Sequence, residues 1–171
     1  SDSLTFQGRL GANTVLSDID ASPVIEGNVV YSVSYSGRLV AIDIRSGTRI
    51  WEQEIASANT PWLAGDYLYV MTVDSNLVCI RRTDGRIRWV RSVPAYIDPE
   101  DQEGPIVWTR PPLVGDRLII AGSHGEVRAI SPYTGRMLGL INLSDGVRVS
   151  PITANGTLYI LTTGAEVVAL R

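Results

Sequence analysis

Four groups of side chains in this 171-residue chain are of types that could do chemistry. Asp18 and Asp20 stand in the segment Leu16-Ser17-Asp18-Ile19-Asp20-Ala21-Ser22-Pro23-Val24, and Asp98, Glu100, Asp101 and Glu103 fall within six consecutive positions. His124 is the single histidine and Cys79 the single cysteine. Nucleophilic catalysis needs a base within hydrogen-bond reach and a third group to orient it, and a zinc site needs three or four His, Cys or carboxylate ligands. With no second His or Cys available, His124 is expected to be a solvent-exposed turn residue before Gly125. Cys79 lies in an apolar run, without the exposure and cationic neighbour that a reactive thiol requires, and is expected to be a small buried filler. The acidic run departs from the D-x-[DN]-x-[DN]-G spacing of a calcium loop. It reads as a solvated excursion between structural units that can carry a second protein contact through Asp98, Glu100, Asp101 and Glu103. Asp18 and Asp20 admit two readings from their pattern. They close an Asx turn ahead of Ser22-Pro23, or they present carboxylates to a partner's Arg or backbone N–H groups.

The overall charge narrows the partners. The net charge is −3 and all 15 basic residues are Arg, with no basic stripe of the kind that nucleic acid requires. A chain with 44% hydrophobic and 19% charged residues has the composition of a folded protein, and its length supports a core without disulfides or metals. One cysteine excludes an intramolecular disulfide and leaves a reducing compartment and the periplasm both open. No apolar run approaches the 18 or so residues of a membrane span, and Ser1 to Phe6 lacks the basic and apolar parts of a signal peptide.

The elements that must position these residues come from a repeat. Ser22-Pro23-Val24-Ile25-Glu26-Gly27 returns as Thr60-Pro61-Trp62-Leu63-Ala64-Gly65, as Arg110-Pro111-Pro112-Leu113-Val114-Gly115 and as Ser150-Pro151-Ile152-Thr153-Ala154-Asn155-Gly156. Each copy is followed by an apolar burst, a polar turn and a second burst, of which Val29-Val30-Tyr31 and Leu39-Val40-Ala41-Ile42 are the first pair. Three copies then turn into Gly-x-x-x-Trp or its remnant, at Gly47 to Trp51, Gly85 to Trp89 and Gly135 to Gly139. Four short strands per unit predict antiparallel meanders. Middle strands that are apolar on both faces predict sheets stacked face to face, so the chain reads as an all-β propeller of four-stranded blades. One leading strand at Ser3 to Phe6, three full units and three final strands give the content of four blades, half of an eight-bladed ring. The predicted division is the end of a preceding blade plus loop at 1–20, blades at 21–57, 58–94 and 110–144, an inserted loop at 95–109 and an incomplete blade at 145–171. The open edge at Val167 to Arg171 is expected to pair with Ser3 to Phe6, within the chain or in a homodimer of half-propellers.

Ala41-Ile42-Asp43-Ile44-Arg45-Ser46-Gly47-Thr48-Arg49-Ile50-Trp51 resembles the A-x-D-x-x-[ST]-G-x-x-x-W signature of the PQQ-like propeller repeat. Here Asp43 and Ser46-Gly47 would form the turn, and Trp51 would pack between blades. The segment from Leu16 to Val24, continuing through Gly37-Arg38-Leu39-Val40-Ala41-Ile42-Asp43, is similar to the BamB family of propeller lipoproteins in the outer-membrane β-barrel assembly machinery. That resemblance implies a non-enzymatic scaffold at the periplasmic face of the outer membrane, lipid-anchored in full length and without a cofactor. It implies further that Asp18 and Asp20 contact a POTRA domain of BamA, alongside other assembly-complex subunits and unfolded outer-membrane clients. The alternative is a PQQ-like propeller enzyme or periplasmic ligand-binding propeller. The enzymes it resembles carry an adjacent cysteine pair, and this chain has Cys79 alone.

Overall fold

The computed structural model of the chain describes residues 21–171, and everything described is strand, turn or irregular connection. Three four-stranded antiparallel sheets follow in chain order. The first has β1 (Val24–Glu26), β2 (Val29–Val33), β3 (Leu39–Asp43) and β4 (Arg49–Gln53). The second has β5 (Trp62–Ala64), β6 (Tyr67–Met71), β7 (Asn76–Arg81) and β8 (Ile87–Ser92). A two-stranded hairpin, β9 (Tyr96–Asp98) and β10 (Glu103–Pro105), interrupts the series. The third sheet has β11 (Leu113–Val114), β12 (Arg117–Ala121), β13 (Glu126–Ile130) and β14 (Met137–Asn142). A three-stranded sheet ends it with β15 (Ile152–Ala154), β16 (Thr157–Leu161) and β17 (Val167–Leu170). Among the described strands β17 pairs with β16 alone. Its expected partner, Ser3 to Phe6, lies outside the described residues.

Among the described residues there is no single core. Buried side chains form three clusters, one at each junction between successive sheets. Tyr31, Val33, Leu39 and Ala41 pack on Leu68, Val70, Val78 and Ile80. Met71, Leu77 and Cys79 pack on Leu118, Ile120 and Ile130. Ile119, Ala121 and Val127 pack on Leu158 and Ile160. The middle strands of the second and third sheets therefore face a neighbour on both sides, which is why their sequences lack the alternation of a half-exposed strand. This is the blade stacking of a propeller.

The conserved geometry of the units explains the signature residues. In register, Tyr31 pairs with Ala41 and Ala41 with Trp51; Tyr69 pairs with Cys79 and Cys79 with Trp89. The Tyr and Trp rings of each row approach at 5.9 and 6.1 Å between centroids, a geometry that requires a small residue between them. Cys79 fills that place at 1% exposure, and burial pushes its thiol pKa up to about 12. Each Trp then crosses to the next blade. Trp51 Nε1 donates to the Arg82 carbonyl at 2.7 Å, and Trp89 Nε1 to the Pro132 carbonyl at 3.0 Å. The rings lie on Gly85 and Gly135, where a Cβ would come within 2.8 and 2.7 Å of them. Both glycines also hold positive φ, +72° and +69°, so their type is fixed twice over.

The turns leading into the fourth strands share one backbone bond and differ in their side chains. Gly47, Gly85 and Gly135 donate N–H to the carbonyls of Asp43, Arg81 and Ser131 at 2.8, 2.9 and 3.0 Å. Asp43 Oδ1 accepts from the Arg45 and Ser46 N–H groups and from Ser46 Oγ, as expected. In the second blade Arg81 occupies the place of Asp43, and the carboxylate is supplied by Asp84, which pairs with Arg81 and accepts from Arg86 N–H. The Arg81 hydrogen bond holds the Asp84 carboxyl at about 2, below the usual 3.8. A depressed carboxyl stabilises the fold above its ordinary pKa, and that stabilisation is lost as pH falls from about 3.8 through 2. The Asp84 carboxyl resonance should titrate near pH 2, moving back towards pH 4 in Arg81→Gln. A midpoint near 4 in the parent protein would contradict the pairing.

Candidate functional site

A meander sends alternate turns to opposite ends, so the loops between blades share one end with the β2–β3, β6–β7, β12–β13 and β16–β17 turns. Backbone hydrogen bonds knit this connector end. Val73 N–H donates to the Ala56 carbonyl at 3.0 Å, Ser123 to Val107 at 2.9 Å and Thr163 to Gly146 at 2.8 Å. Each inter-blade loop is thus tied to the turn of the blade it enters, giving rigid backbone from which side chains can be presented.

The acidic run falls on this end, in the β9–β10 hairpin. Asp98 pairs in register with Glu103, and its Oδ1 accepts from the N–H groups of Glu100 and Asp101 at 3.0 and 3.3 Å. Asp98 is therefore occupied in closing its own turn. Glu100, Asp101 and Glu103 are exposed on the hairpin. Among the described residues no group of three His, Cys, Asp or Glu side chains lies together as metal ligands would. Asp18 and Asp20 lie outside the described residues.

One residue the sequence did not single out holds the inserted segment to the third blade. Trp108 is 3% exposed and donates from Nε1 to the Pro94 carbonyl at 2.7 Å, bridging the two ends of the insertion. Its own carbonyl accepts from Asn59 Nδ2 at 3.1 Å, and its backbone forms an isolated bridge with Gly122. The Arg128 guanidinium lies 5.3 Å from the ring centroid, and the His124 ring meets it edge-on at 5.4 Å. The expectation that His124 is a solvent-exposed turn residue is corrected here. Its side chain is only 16% exposed, with Nε2 3.4 Å from Glu126 Oε2 and the ring lying over Gly122, where no side chain obstructs it. Glu126 also accepts from Arg128 Nε and Nη2 at 2.9 and 2.6 Å. Burial raises the Glu126 pKa, but the Arg128 hydrogen bond and the neighbouring charges outweigh it and leave the carboxyl below its ordinary value. The His, Glu and Arg side chains of this turn are therefore engaged with one another and with Trp108, an arrangement that positions a loop.

Beside this clamp the connector end has a cavity of about 260 Å³ between the first two blades and the insertion. Tyr35, Met71, Val73, Ile106, Val107 and Trp108 line it. The signal that could have found it was local. Ser34-Tyr35-Ser36-Gly37 and Thr72-Val73-Asp74-Ser75 put a large apolar residue in a hairpin turn, where polar residues are usual. A cavity of about 390 Å³ at the opposite end includes Tyr31, Ile50 and Arg82, with Arg82 3.4 Å from Glu26.

A family model described as outer membrane protein assembly factor BamB matches residues 2–91. The chain is 32% identical over 154 residues to the outer membrane protein assembly factor BamB of Legionella pneumophila (strain Paris), covering 89% of this chain and 38% of that relative. Among solved structures it is similar to BamB from Moraxella catarrhalis, with a TM-score of 0.78 at 20% identity over 94% of this chain and 46% of that one. It is also similar to quinohemoprotein alcohol dehydrogenase from Comamonas testosteroni, with a TM-score of 0.68 at 17% identity over 85% of this chain and 29% of that one. Both structures share the propeller fold with this chain.

Proposed function

The chain belongs to the BamB family of outer membrane protein assembly factors, and on that premise we propose that it is a non-enzymatic scaffold of the outer-membrane β-barrel assembly machinery. The observation that carries this reading is the family match over residues 2–91, supported by kinship with a BamB relative across 89% of the chain. The architecture suits the task. Rigid inter-blade loops hold a partner domain, and the free edge of β17 among the described strands suits strand addition, within the chain or from a second copy. The alternative, a quinone- or ligand-binding propeller enzyme, has the shared fold in its favour and only that.

In this reading the protein works at the periplasmic face of the outer membrane, held there in full length by a lipid anchor. Asp18 and Asp20 offer charge-assisted hydrogen bonds to a POTRA domain of BamA. An internal echo bears on how the two divide the work. Leu143-Ser144-Asp145 repeats Leu16-Ser17-Asp18 at the corresponding inter-blade position, and Asp145 accepts from Ser144 Oγ at 3.2 Å. A Cβ at Gly164 would come within 2.6 Å of its Oδ2, so this carboxylate packs on the next blade's turn. On this reading the larger share of the contact is assigned to Asp20, which has no counterpart carboxylate in the later copy. A pull-down of the full-length protein with the POTRA region tests this. Asp18→Arg plus Asp20→Arg should lose capture, and Asp20→Asn alone should lose most of it. Unchanged capture by the double variant would remove these residues as anchors.

A further inference from the structure

We infer that the cavity between Tyr35, Val73 and Val107 is a docking pocket for a protein segment that presents one large apolar side chain flanked by Arg or Lys. Three observations lead there, and none depends on the assembly role or on Asp18 and Asp20.

The first is the apolar character of the mouth. Tyr35, Val73 and Val107 are 46%, 41% and 58% exposed, yet they converge on one cavity from three different connections. Met71, Ile106 and Trp108, all buried, form its inner wall. Isolated exposed apolar residues are ordinary, whereas a convergent set around a concavity marks a binding site. The second is size. At about 260 Å³ the pocket has room for a single large side chain. A Tyr at the rim and a Met in the wall give it the composition of an interface anchor site, with the thioether able to adjust to the guest.

The third is charge. Among the described residues the connector-end loops and hairpin carry eight carboxylates against three Arg, and the opposite end three against four. Glu100, Asp101 and Glu103 are exposed on the hairpin that leads directly into Ile106 and Val107 of the lining, and Asp74 follows Val73 in its turn. An apolar pocket on an end with an excess of carboxylates favours a guest of the opposite sign and speeds its arrival. The same field repels phosphate backbones and anionic lipid headgroups, which leaves a basic polypeptide as the occupant.

Fluorescence anisotropy with three labelled dodecapeptides tests this on the full chain. The first has a central Phe among Arg and Ser, the second the same Phe among Glu and Ser, and the third the Arg pattern with Ser in place of Phe. The first should bind at least tenfold more tightly than either of the others. Val73→Ser with Val107→Ser should abolish the difference between the first and third peptides while leaving the thermal transition in place. Glu100→Gln with Asp101→Asn and Glu103→Gln should weaken the first peptide and flatten its salt dependence. Absence of binding by the first peptide, equal binding of the third, or unaltered binding by the valine variant would each overturn the inference.

Discussion

Trp108→Ala should destabilise the protein by about 3–5 kcal/mol, the range for deleting a buried large aromatic, and should release the β9–β10 hairpin. The indole is 3% exposed and packs with Ile106, Leu118 and Ile120 in the cluster between the second and third blades. It also donates to the Pro94 carbonyl, receives Arg128 on its face and His124 against its edge. Its removal opens a cavity, strands a carbonyl, and leaves the half-buried Arg128 and His124 side chains without their common surface. Trp108→Phe keeps most of the ring and loses the hydrogen bond, so it should cost nearer 1 kcal/mol plus a small packing term. Chemical denaturation gives both values, and amide exchange across Tyr96 to Pro105 reports the hairpin. Equal stability of Trp108→Ala and the parent would show that the insertion is held elsewhere. Because the indole also forms the pocket wall, Trp108→Ala should lose the basic peptide as well.

Gly146→Ala is the second large effect, and it arises from backbone alone. A Cβ on Gly146 would lie 2.0 Å from the Ser123 carbonyl oxygen, closer than any van der Waals contact permits. Neither side can yield cheaply. The Gly146 carbonyl accepts from Thr163 N–H at 2.8 Å, Val147 N–H donates to Gly122 at 3.0 Å, and Leu143 N–H donates to Gly125 at 2.9 Å. One methyl group therefore strains three backbone hydrogen bonds that hold this loop to the turns of the third and fourth sheets. The expected cost lies at the top of the roughly 1–3 kcal/mol span of overpacked cores or beyond it. Gly139→Ala is the matched control. Nothing lies within 4 Å of a Cβ there, φ is not in the left-handed region, and the residue sits inside β14. Alanine should stabilise that strand by about 0.5–1 kcal/mol, because glycine loses more backbone entropy on folding. Denaturation midpoints that failed to separate the two variants would mean that the loop at 143–151 relaxes freely.

The fold was largely legible from the chain because a repeat states its own rules several times. Proline-led strands, Asn-Gly and Asp-Gly turns and doubly apolar bursts each recur at a fixed offset, so local chemistry alone identified blades and the need for neighbours. Cys79 was legible for the same reason, since it falls where other units have Ala41, Ala129 and Ala169. The turn at Asp84 was less so. There the carboxylate moved three positions along the chain while the backbone bond to Gly85 stayed, and a position-by-position comparison sees only a lost Asp.

The candidate site divides along the same line. Sequence determined that the connections between blades carry the carboxylates and that Asp18, Asp20 and the run from Asp98 to Glu103 stand in them, because charge and loop position are properties of the residues themselves. What it could not determine was which of these are free. Asp98 turned out to be spent on its own backbone, and His124, a turn residue by its neighbours, is held against a tryptophan sixteen positions away. Tyr35 and Val73 were each a local signal as apolar turn residues, but their convergence on one pocket was invisible for a stronger reason. Tyr35, Val73 and Val107 come from separate connections 34 or more residues apart, and no periodicity relates them. Only the stacking of blades, which fixes the distance and rotation between successive turns, brings them round one cavity.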